Sequence, residues 1–138
     1  MRVRYSETDQ MGVVYHANYL VYMEEGRTRL MAALGQPYAD LERSGVGLAV
    51  RRADLRFRAP ARYDDPLVVR THVARVGGAS VVFRYEVVRE TDERLLATGS
   101  TELACLDLSR PERPVTFLPE SVRQLLEGAL QGGDRPAE

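Results

Sequence analysis

A carboxylate, a glycine and a histidine lie close together within the stretch ETDQMGVVYHANYLVYMEEGR, residues 7–27. Asp9 and His16 are seven positions apart, and Gly12 lies between them. A carboxylate that is ionised at neutral pH attacks a carbonyl carbon or orients a water molecule as a general base. An imidazole binds a substrate, polarises it or shuttles a proton. These residue types fit attack on an activated acyl group, and Gly12 would let that group approach the backbone.

Each of these residues also has an ordinary structural interpretation. Asp9 could satisfy local N–H groups in a turn, His16 could begin a helix beside water, and Tyr5 could be a buried strand residue. A helix usually presents a glutamate such as Glu24 to solvent, and a hairpin commonly contains a serine such as Ser80. Spacing alone leaves the catalytic and the structural interpretations open.

A helix is predicted directly after this loop. Apolar residues recur at helical spacing from about Ala17 or Asn18, and we expect Asn18 to be the N-cap. Gly35, followed by Pro37, ends the helix. Its N-terminus would present unpaired N–H groups and a partial positive charge, which hold a phosphate or stabilise an oxyanion. Gly26 lowers helix stability by about 1 kcal/mol relative to Ala, which indicates close contact with a sheet.

Alternating residues predict strands in the rest of the chain, at 2–7, 46–59, 66–76, 79–90 and 93–108, the last broken at Gly99. In the stretch 79–90 the alternation places four apolar residues on one face: Val81, Phe83, Tyr85 and Val87. Short turns predict an antiparallel meander, and residues 119–130 a final helix. The order indicates one α+β domain over residues 1–130, whose sheet buries the long helix, with a disordered tail at 131–138.

Composition excludes several classes of protein. The net charge is −1, and all 19 basic residues are Arg, so we expect no binding to nucleic acid or to an anionic membrane. Cys105 is the single cysteine, which fits a reducing compartment and a core position, and His72 is expected to be structural. The apolar runs are too short to cross a bilayer, the first ten residues do not resemble a signal peptide, and no CxxC or HExxH indicates a metal site. We therefore expect a cytoplasmic protein without a metal.

The loop and the helix start together resemble a known signature. Hotdog-fold acyl-CoA thioesterases, in the 4-hydroxybenzoyl-CoA thioesterase family and its Tol–Pal-linked relatives, carry the pattern D-x-x-G-x-V-x-[HYN]-x-N-Y-L before a central helix. The matching residues are Asp9, Gly12, Val14, His16, Asn18, Tyr19 and Leu20. The later string RFRAPARYDDPLVV follows the family order, so that the resemblance covers about residues 1–118.

The resemblance implies a curved antiparallel sheet wrapped around one long helix, the hotdog fold. It also implies hydrolysis of acyl-CoA to a carboxylic acid and free coenzyme A, with no cofactor beyond the coenzyme A of the substrate. The catalytic carboxylate falls on Asp9, and the backbone N–H aimed at the thioester carbonyl falls on His16. The Tol–Pal-linked branch adds a tyrosine and a histidine side chain, which fall on Tyr5 and His16. A homodimer joined at the sheet edges, or a dimer of dimers, would hold the acyl group at its interface.

Substrate binding is expected from residues around the loop and at the hairpin: Gly12, Val14, Tyr15, Asn18, Glu24, Arg75 and Ser80. Glu24 matches a recurrent family glutamate and is given a supporting role. The 4-hydroxybenzoyl branch has a basic cluster in the hairpin, where this chain has VGGAS and retains only Ser80 of that set. Phosphate binding would then fall to Arg75 or other arginines. The presence of His16 points to the short-chain or broader acyl-CoA branch.

Three other functions remain open at this point. A thioesterase acting on acyl carrier protein would use the same site with a different partner, and the missing basic cluster favours it. A non-catalytic acyl-binding protein would keep the sheet and the dimer, although the intact Asp9, Gly12 and His16 argue against it. A dehydratase of this fold class would place its histidine in a different loop.

Overall fold

One antiparallel sheet organises residues 1–131, the part of the chain that this computed structural model describes. Its strands are β1 (Val46–Phe57), β2 (Leu67–Val76), β3 (Ser80–Arg89) and β4 (Arg94–Asp107). They lie in the order β1-β4-β3-β2, and every neighbouring pair is antiparallel. The predicted α+β class is confirmed. The tail predicted at 131–138 lies, from residue 132 onward, outside the described residues.

Three α-helices accompany the sheet within residues 1–131: α1 (Asn18–Ala33), α2 (Tyr38–Arg43) and α3 (Glu120–Gln131). α1 begins where the sequence predicts, and Gly35 follows it with a φ of +92°, as a glycine at a helix end commonly does. α1 and α3 pack on β2, and α2 packs on β1. Sequence periodicity does not reveal α2, because it is six residues long and fully buries only Leu41.

Alternate residues of β3 supply much of the hydrophobic core. The four residues predicted to share one face, Val81, Phe83, Tyr85 and Val87, are all fully buried, which confirms that prediction. Full burial of one such apolar side chain stabilises the fold by about 1.5–3 kcal/mol. Helix and sheet therefore depend on each other. The side chains that α1 buries are Tyr19, Tyr22, Met23, Arg27 and Met31.

Two glycines allow α1 to lie close to the sheet. A β-carbon on Gly26 would lie 2.5 Å from Thr71 Oγ1 and 2.9 Å from Val69 Cγ1, both on β2. A β-carbon on Gly99 of β4 would lie 2.7 Å from Met23 Cε of α1. The close approach expected at Gly26 is confirmed. The break expected at Gly99 is wrong, because β4 continues through this residue and the missing side chain makes room for Met23.

The first predicted strand, at residues 2–7, does not form. Tyr5–Glu7 is a 3₁₀ helix instead, and Glu7 Oε1 accepts a hydrogen bond of 2.8 Å from the Arg4 N–H. That bond turns the chain before a strand can extend. Val3 is buried, but the polar residues around it are exposed, so the alternation reflects one anchored side chain and not a strand.

Candidate active site

The loop before α1 is a small hairpin with a tight turn at its tip. The Asp9 N–H donates to the Val13 carbonyl at 2.9 Å, and Thr8 and Val14 form an isolated antiparallel bridge. The Gly12 N–H donates to the Asp9 carbonyl at 2.9 Å, and Gly12 has a φ of +79°. Glycine adopts this left-handed conformation without the steric cost that other residues incur. The glycine is therefore required by the turn, and the space around its α-carbon is open.

Asp9 uses one carboxylate oxygen to hold this turn. Its Oδ1 accepts a hydrogen bond of 2.8 Å from the Met11 N–H, the pattern of an Asx-turn. Within residues 1–131, its other oxygen accepts no hydrogen bond, and the side chain is exposed. The carboxylate is thus oriented by its own loop while one oxygen stays available for chemistry.

The backbone at the start of α1 leaves two N–H groups unused. The Tyr15 N–H donates to the Glu7 carbonyl, and the Asn18 N–H donates to the Tyr15 carbonyl, both at 2.9 Å. Between them, the N–H groups of His16 and Ala17 donate to no carbonyl within the described part of the chain. Unpaired N–H groups at a helix start are the donors that an oxyanion requires.

Asn18 does not cap the helix, which corrects the sequence-based expectation. The N-cap position is occupied by Ala17, and no side chain bonds to the helix N–H groups there. The Asn18 side chain reaches backwards, and its Nδ2 donates to the Glu7 carbonyl at 2.9 Å. Asn18 therefore ties the helix to the beginning of the loop.

Asp9 and His16 line one open cleft of about 390 Å³. This volume falls within the range of small-molecule sites, about 300–1,000 Å³. The cleft is walled by the loop, by the first turn of α1 and by the chain that leaves β1: Asp9, Val13, Val14, His16, Tyr19, Phe57, Arg58, Ala59 and Pro60. Its lining combines apolar side chains with one carboxylate, one imidazole and one guanidinium, which suits an acyl group with a reactive polar centre.

Aromatic rings border the cleft around His16. The His16 ring lies 4.4 Å from the Tyr15 ring and 6.5 Å from the Phe57 ring, measured between centroids. Tyr19 meets Phe57 edge-on at 5.2 Å. Burial raises the pKa of the Tyr19 hydroxyl, so that group stays neutral at physiological pH. The His16 imidazole therefore lies against aromatic side chains on this side of the cleft.

Sequence reasoning missed the wall contributed by residues 57–60. Phe57 and Arg58 do not belong to the loop motif, yet both line the cleft. The Arg58 N–H donates to the Leu96 carbonyl of β4 at 2.8 Å, which fixes the chain just past the end of β1. The string RFRAPARYDDPLVV contained the relevant signal, but only the register of β1 against β4 places it opposite the loop.

Several predicted site residues do not line this cleft in the single chain. Gly12, Tyr15 and Asn18 are next to its lining residues in the loop and at the start of α1, whereas Tyr5 and Glu24 lie away from it. Tyr5 is 76% exposed, and its ring meets Tyr63 edge-on at 5.7 Å. Glu24 is exposed on α1, and its Oε2 lies 3.7 Å from an Arg27 nitrogen. Neither side chain lines the cleft that contains Asp9 and His16.

Arg75 and Ser80 lie at the β2–β3 hairpin, also away from the cleft. The Gly77 N–H donates to the Ser80 carbonyl at 2.8 Å and closes the hairpin. The exposed Arg75 guanidinium lies 3.5 Å from Glu102 Oε1, and this carboxylate also accepts a bond of 2.5 Å from Arg51. A phosphate at Arg75 would therefore compete with Glu102 for the same cation.

Cys105 is a core residue, as the sequence predicts. Its side chain is fully buried, and its Sγ donates to the Phe117 carbonyl at 3.7 Å. Burial raises the pKa of this thiol, with a smaller contribution from Asp107, so the reactive thiolate is disfavoured.

Of the helices within residues 1–131, none is long and apolar enough to cross a membrane.

Comparison with known proteins identifies the family of this chain. A family profile described as the thioesterase-like superfamily matches residues 3–126. The putative acyl-CoA thioesterase YneP of Bacillus subtilis is 38% identical over 117 residues, which cover 85% of this chain and 83% of that protein. The acyl-CoA thioesterase YbgC of Haemophilus influenzae is 35% identical over 124 residues, which cover 89% of this chain and 88% of that protein.

A solved structure extends the likeness to three dimensions. The DHNA-CoA thioesterase of Staphylococcus aureus superimposes with a TM-score of 0.87 and 30% sequence identity. The match covers 96% of this chain and 88% of that one. The fold described above thus recurs in a protein that is named as an enzyme.

Proposed function

The chain belongs to the thioesterase-like superfamily and is a thioesterase with the hotdog fold, and on this premise we propose that it hydrolyses acyl-CoA thioesters. The products are a carboxylic acid and free coenzyme A, and coenzyme A enters only as part of the substrate. The observation that carries the proposal is that one cleft is lined by both Asp9, which has a free carboxylate oxygen, and His16, which has an unused backbone N–H.

The start of α1 polarises the substrate in this proposal. The thioester oxygen accepts a hydrogen bond from the His16 N–H, and the partial positive charge of the helix N-terminus stabilises the oxyanion that develops. The apolar side chain of Phe57 lines the same cleft, and any shielding of this bond from water by the bound acyl group strengthens it. The chemistry needs no metal, because the backbone supplies the electrophilic assistance.

Asp9 supplies the nucleophile or the base. In one route its free oxygen bonds to the acyl carbon, the C–S bond breaks, coenzyme A leaves as thiolate, and water then cleaves the resulting anhydride. In the other route Asp9 takes a proton from water as that water attacks. A thiol has a pKa near 8.5, so the thiolate leaves without strong acid assistance. Single turnover in ¹⁸O-labelled water tests the anhydride route, because label enters Asp9 only when water attacks the Asp9 carbonyl of an anhydride.

The remaining predicted residues have binding and supporting roles in the proposal. Val14 and the ring of Tyr15 border the acyl group, while Gly12 leaves room for it beside the turn. The His16 ring orients the substrate or relays a proton. Asn18 holds the helix start against the loop.

Of the predicted residues that do not line the cleft of one chain, we assign four to an assembled site: Tyr5 as a further catalytic group, and Glu24, Arg75 and Ser80 as supporting and phosphate-binding groups. We propose that a second copy of the chain completes the site. The edge of β1 is free of strand partners within residues 1–131, and Phe57 and Val50 on it are 51% and 45% exposed. Unpaired strand edges pair readily with a second chain. Light scattering after size-exclusion chromatography measures whether the assembly is a dimer or a dimer of dimers.

Hydrolysis of acyl carrier protein thioesters is the second candidate function. The hairpin lacks a basic cluster, and Arg75 is already paired with Glu102, so the phosphate groups of coenzyme A have few ready partners there.

We place either activity in the cytoplasm, because the buried, unpaired Cys105 fits a reducing compartment.

A substrate panel tests the proposal. Aliphatic acyl-CoA thioesters of increasing chain length, benzoyl-CoA and the matching acyl carrier protein thioesters are compared by the rate of free thiol release. Turnover of one or more coenzyme A thioesters supports the proposal. Much faster cleavage of the carrier protein thioesters favours the second candidate. If no member of the panel releases thiol, both candidate functions are rejected.

A further inference from the structure

Glu7 connects both ends of the loop to α1. Its backbone carbonyl accepts hydrogen bonds from the Tyr15 N–H and from Asn18 Nδ2, each at 2.9 Å. Its carboxylate Oε1 accepts a bond of 3.0 Å from the Tyr22 hydroxyl and one of 2.8 Å from the Arg4 N–H. One residue thus holds the beginning of the loop, its end and the helix.

The bonds that Glu7 accepts from Asn18 and Tyr22 are partly buried and lie on one side of α1. Asn18 and Tyr22 are four positions apart, so both side chains lie on the same face of the helix. Tyr22 is fully buried, and the Glu7 side chain is 13% exposed. Burial, followed by the hydrogen bond to Glu7, raises the pKa of Tyr22, so its hydroxyl remains a donor at physiological pH. Hydrogen bonds in such surroundings are stronger than in water.

The position of this network in the loop gives it a functional consequence. Glu7 lies two residues before Asp9, and its carbonyl binds Tyr15, the residue before His16. Any shift of Glu7 relative to Tyr22 therefore moves the carboxylate and the unused N–H of the cleft with respect to each other. In enzymes, a displacement of about 1 Å between reacting groups costs about 100-fold in rate.

We propose that Glu7 and Tyr22 form a clamp that positions the Asp9 carboxylate relative to the His16 N–H. Both are positioning residues, because neither lines the cleft. The catalytic part of this inference rests on the proposed function, whereas the mechanical part does not.

Tyr22→Phe is the direct test, because it removes one hydroxyl and keeps the buried ring. Tyr85→Phe is a matched control, since it also loses a buried hydroxyl, which bonds to Thr101 Oγ1 at 2.6 Å within the sheet. Both substitutions should lower the melting temperature. Only Tyr22→Phe should lower kcat, by roughly 10-fold, with KM near the wild-type value. A kcat for Tyr22→Phe equal to that of Tyr85→Phe overturns the clamp.

A second pair of variants tests the clamp from the other side, should Tyr22→Phe fold poorly. Glu7→Gln keeps a carbonyl oxygen that can accept from the Tyr22 hydroxyl, whereas Glu7→Ala keeps neither side-chain oxygen. Glu7→Gln should therefore retain a higher kcat than Glu7→Ala, whose kcat should fall at least as far as that of Tyr22→Phe because it also loses the bond from the Arg4 N–H. Equal kcat in the two Glu7 variants overturns the role of the side chain.

Hydrogen exchange separates the clamp from the proposed reaction. The amides of Tyr15 and Val14 are hydrogen-bonded in the free protein, and their exchange is measured by NMR without substrate. Exchange at these amides should be faster in Tyr22→Phe than in Tyr85→Phe. If the wild type releases no thiol from any substrate, the proposed function is rejected. The difference in amide exchange between Tyr22→Phe and Tyr85→Phe still tests whether Glu7 and Tyr22 hold the loop. Equal exchange in both variants overturns the clamp.

Discussion

The carboxylate of Asp9 holds the amide of Met11 at 2.8 Å with one oxygen and leaves its other oxygen without a partner among residues 1–131. The sequence leaves two interpretations of Asp9 open, a turn residue and a reactive carboxylate. The structure makes them compatible, because each uses a different oxygen of the same side chain.

Asp9→Asn therefore separates chemistry from folding. Asparagine keeps a carbonyl oxygen for the Met11 N–H, so the turn and the melting temperature should be preserved. It lacks the charge needed for attack or for proton abstraction, so kcat should fall by roughly 10²- to 10⁴-fold. Thiol release on the best acyl-CoA substrate measures the effect. Asp40→Asn, on the surface of α2, is the matched control and should keep full kcat; equal turnover in both variants would reject the role of Asp9.

His16 brings two separable groups to the cleft, a ring and a backbone N–H. His16→Ala removes the ring and keeps the N–H that is proposed to polarise the thioester. Its loss of kcat should be smaller than the roughly 10²- to 10³-fold that follows removal of an oxyanion donor. Steady-state kinetics of His16→Ala and Asp9→Asn, measured side by side, make the comparison. If kcat falls as far in His16→Ala as in Asp9→Asn, the catalytic role of His16 lies in its imidazole ring and not in its backbone N–H.

Sequence pattern predicts the parts of this fold that depend on local periodicity. The start of α1 at Asn18 and the glycine after its end at Gly35 follow from helical spacing and from the backbone freedom of glycine. The buried face of β3 follows from strict alternation. In each case, neighbours in sequence determine the conformation.

The features that sequence pattern misses are set by residues far apart in the chain. Asn18 resembles an N-cap, but its side chain bonds to Glu7, eleven positions earlier. Gly99 resembles a strand break until Met23 of α1 is placed over it. Phe57 enters the cleft only because the register of β1 against β4 carries the end of β1 toward the loop. The motif locates the reactive residues, and the tertiary contacts supply the walls around them.

Stability should fall at alkaline pH because of buried tyrosines. Burial is the largest cause that raises the pKa of Tyr19, Tyr22, Tyr38 and Tyr85. In the unfolded chain these hydroxyls ionise near pH 10, so above that pH the unfolded state binds fewer protons than the folded state. The free energy of unfolding then decreases as pH rises. The contribution of these groups is fully present below about pH 10 and is lost as pH rises toward their folded pKa values.

Urea unfolding at a series of alkaline pH values measures this dependence. Tyr85→Phe should show a shallower decrease above about pH 10, because it removes one of the shifted groups. Tyr63→Phe replaces a tyrosine that is 60% exposed and should keep the wild-type slope. A free energy of unfolding that stays constant through this range in the wild type would contradict the prediction.

Gly26 should resist substitution by alanine even though it lies inside a helix. Alanine favours a helix by about 1 kcal/mol over glycine, but its β-carbon at this position would lie 2.5 Å from Thr71 Oγ1. Overpacking of this kind costs about 1–3 kcal/mol, so Gly26→Ala should lower the free energy of unfolding by up to about 2 kcal/mol. At Gly128 of α3 a β-carbon would meet no atom within 4 Å, so Gly128→Ala should stabilise by up to about 1 kcal/mol. Urea unfolding measures the free energy of unfolding of Gly26→Ala and Gly128→Ala. Equal stabilisation of the two variants would contradict the close packing of α1 on β2 at Gly26.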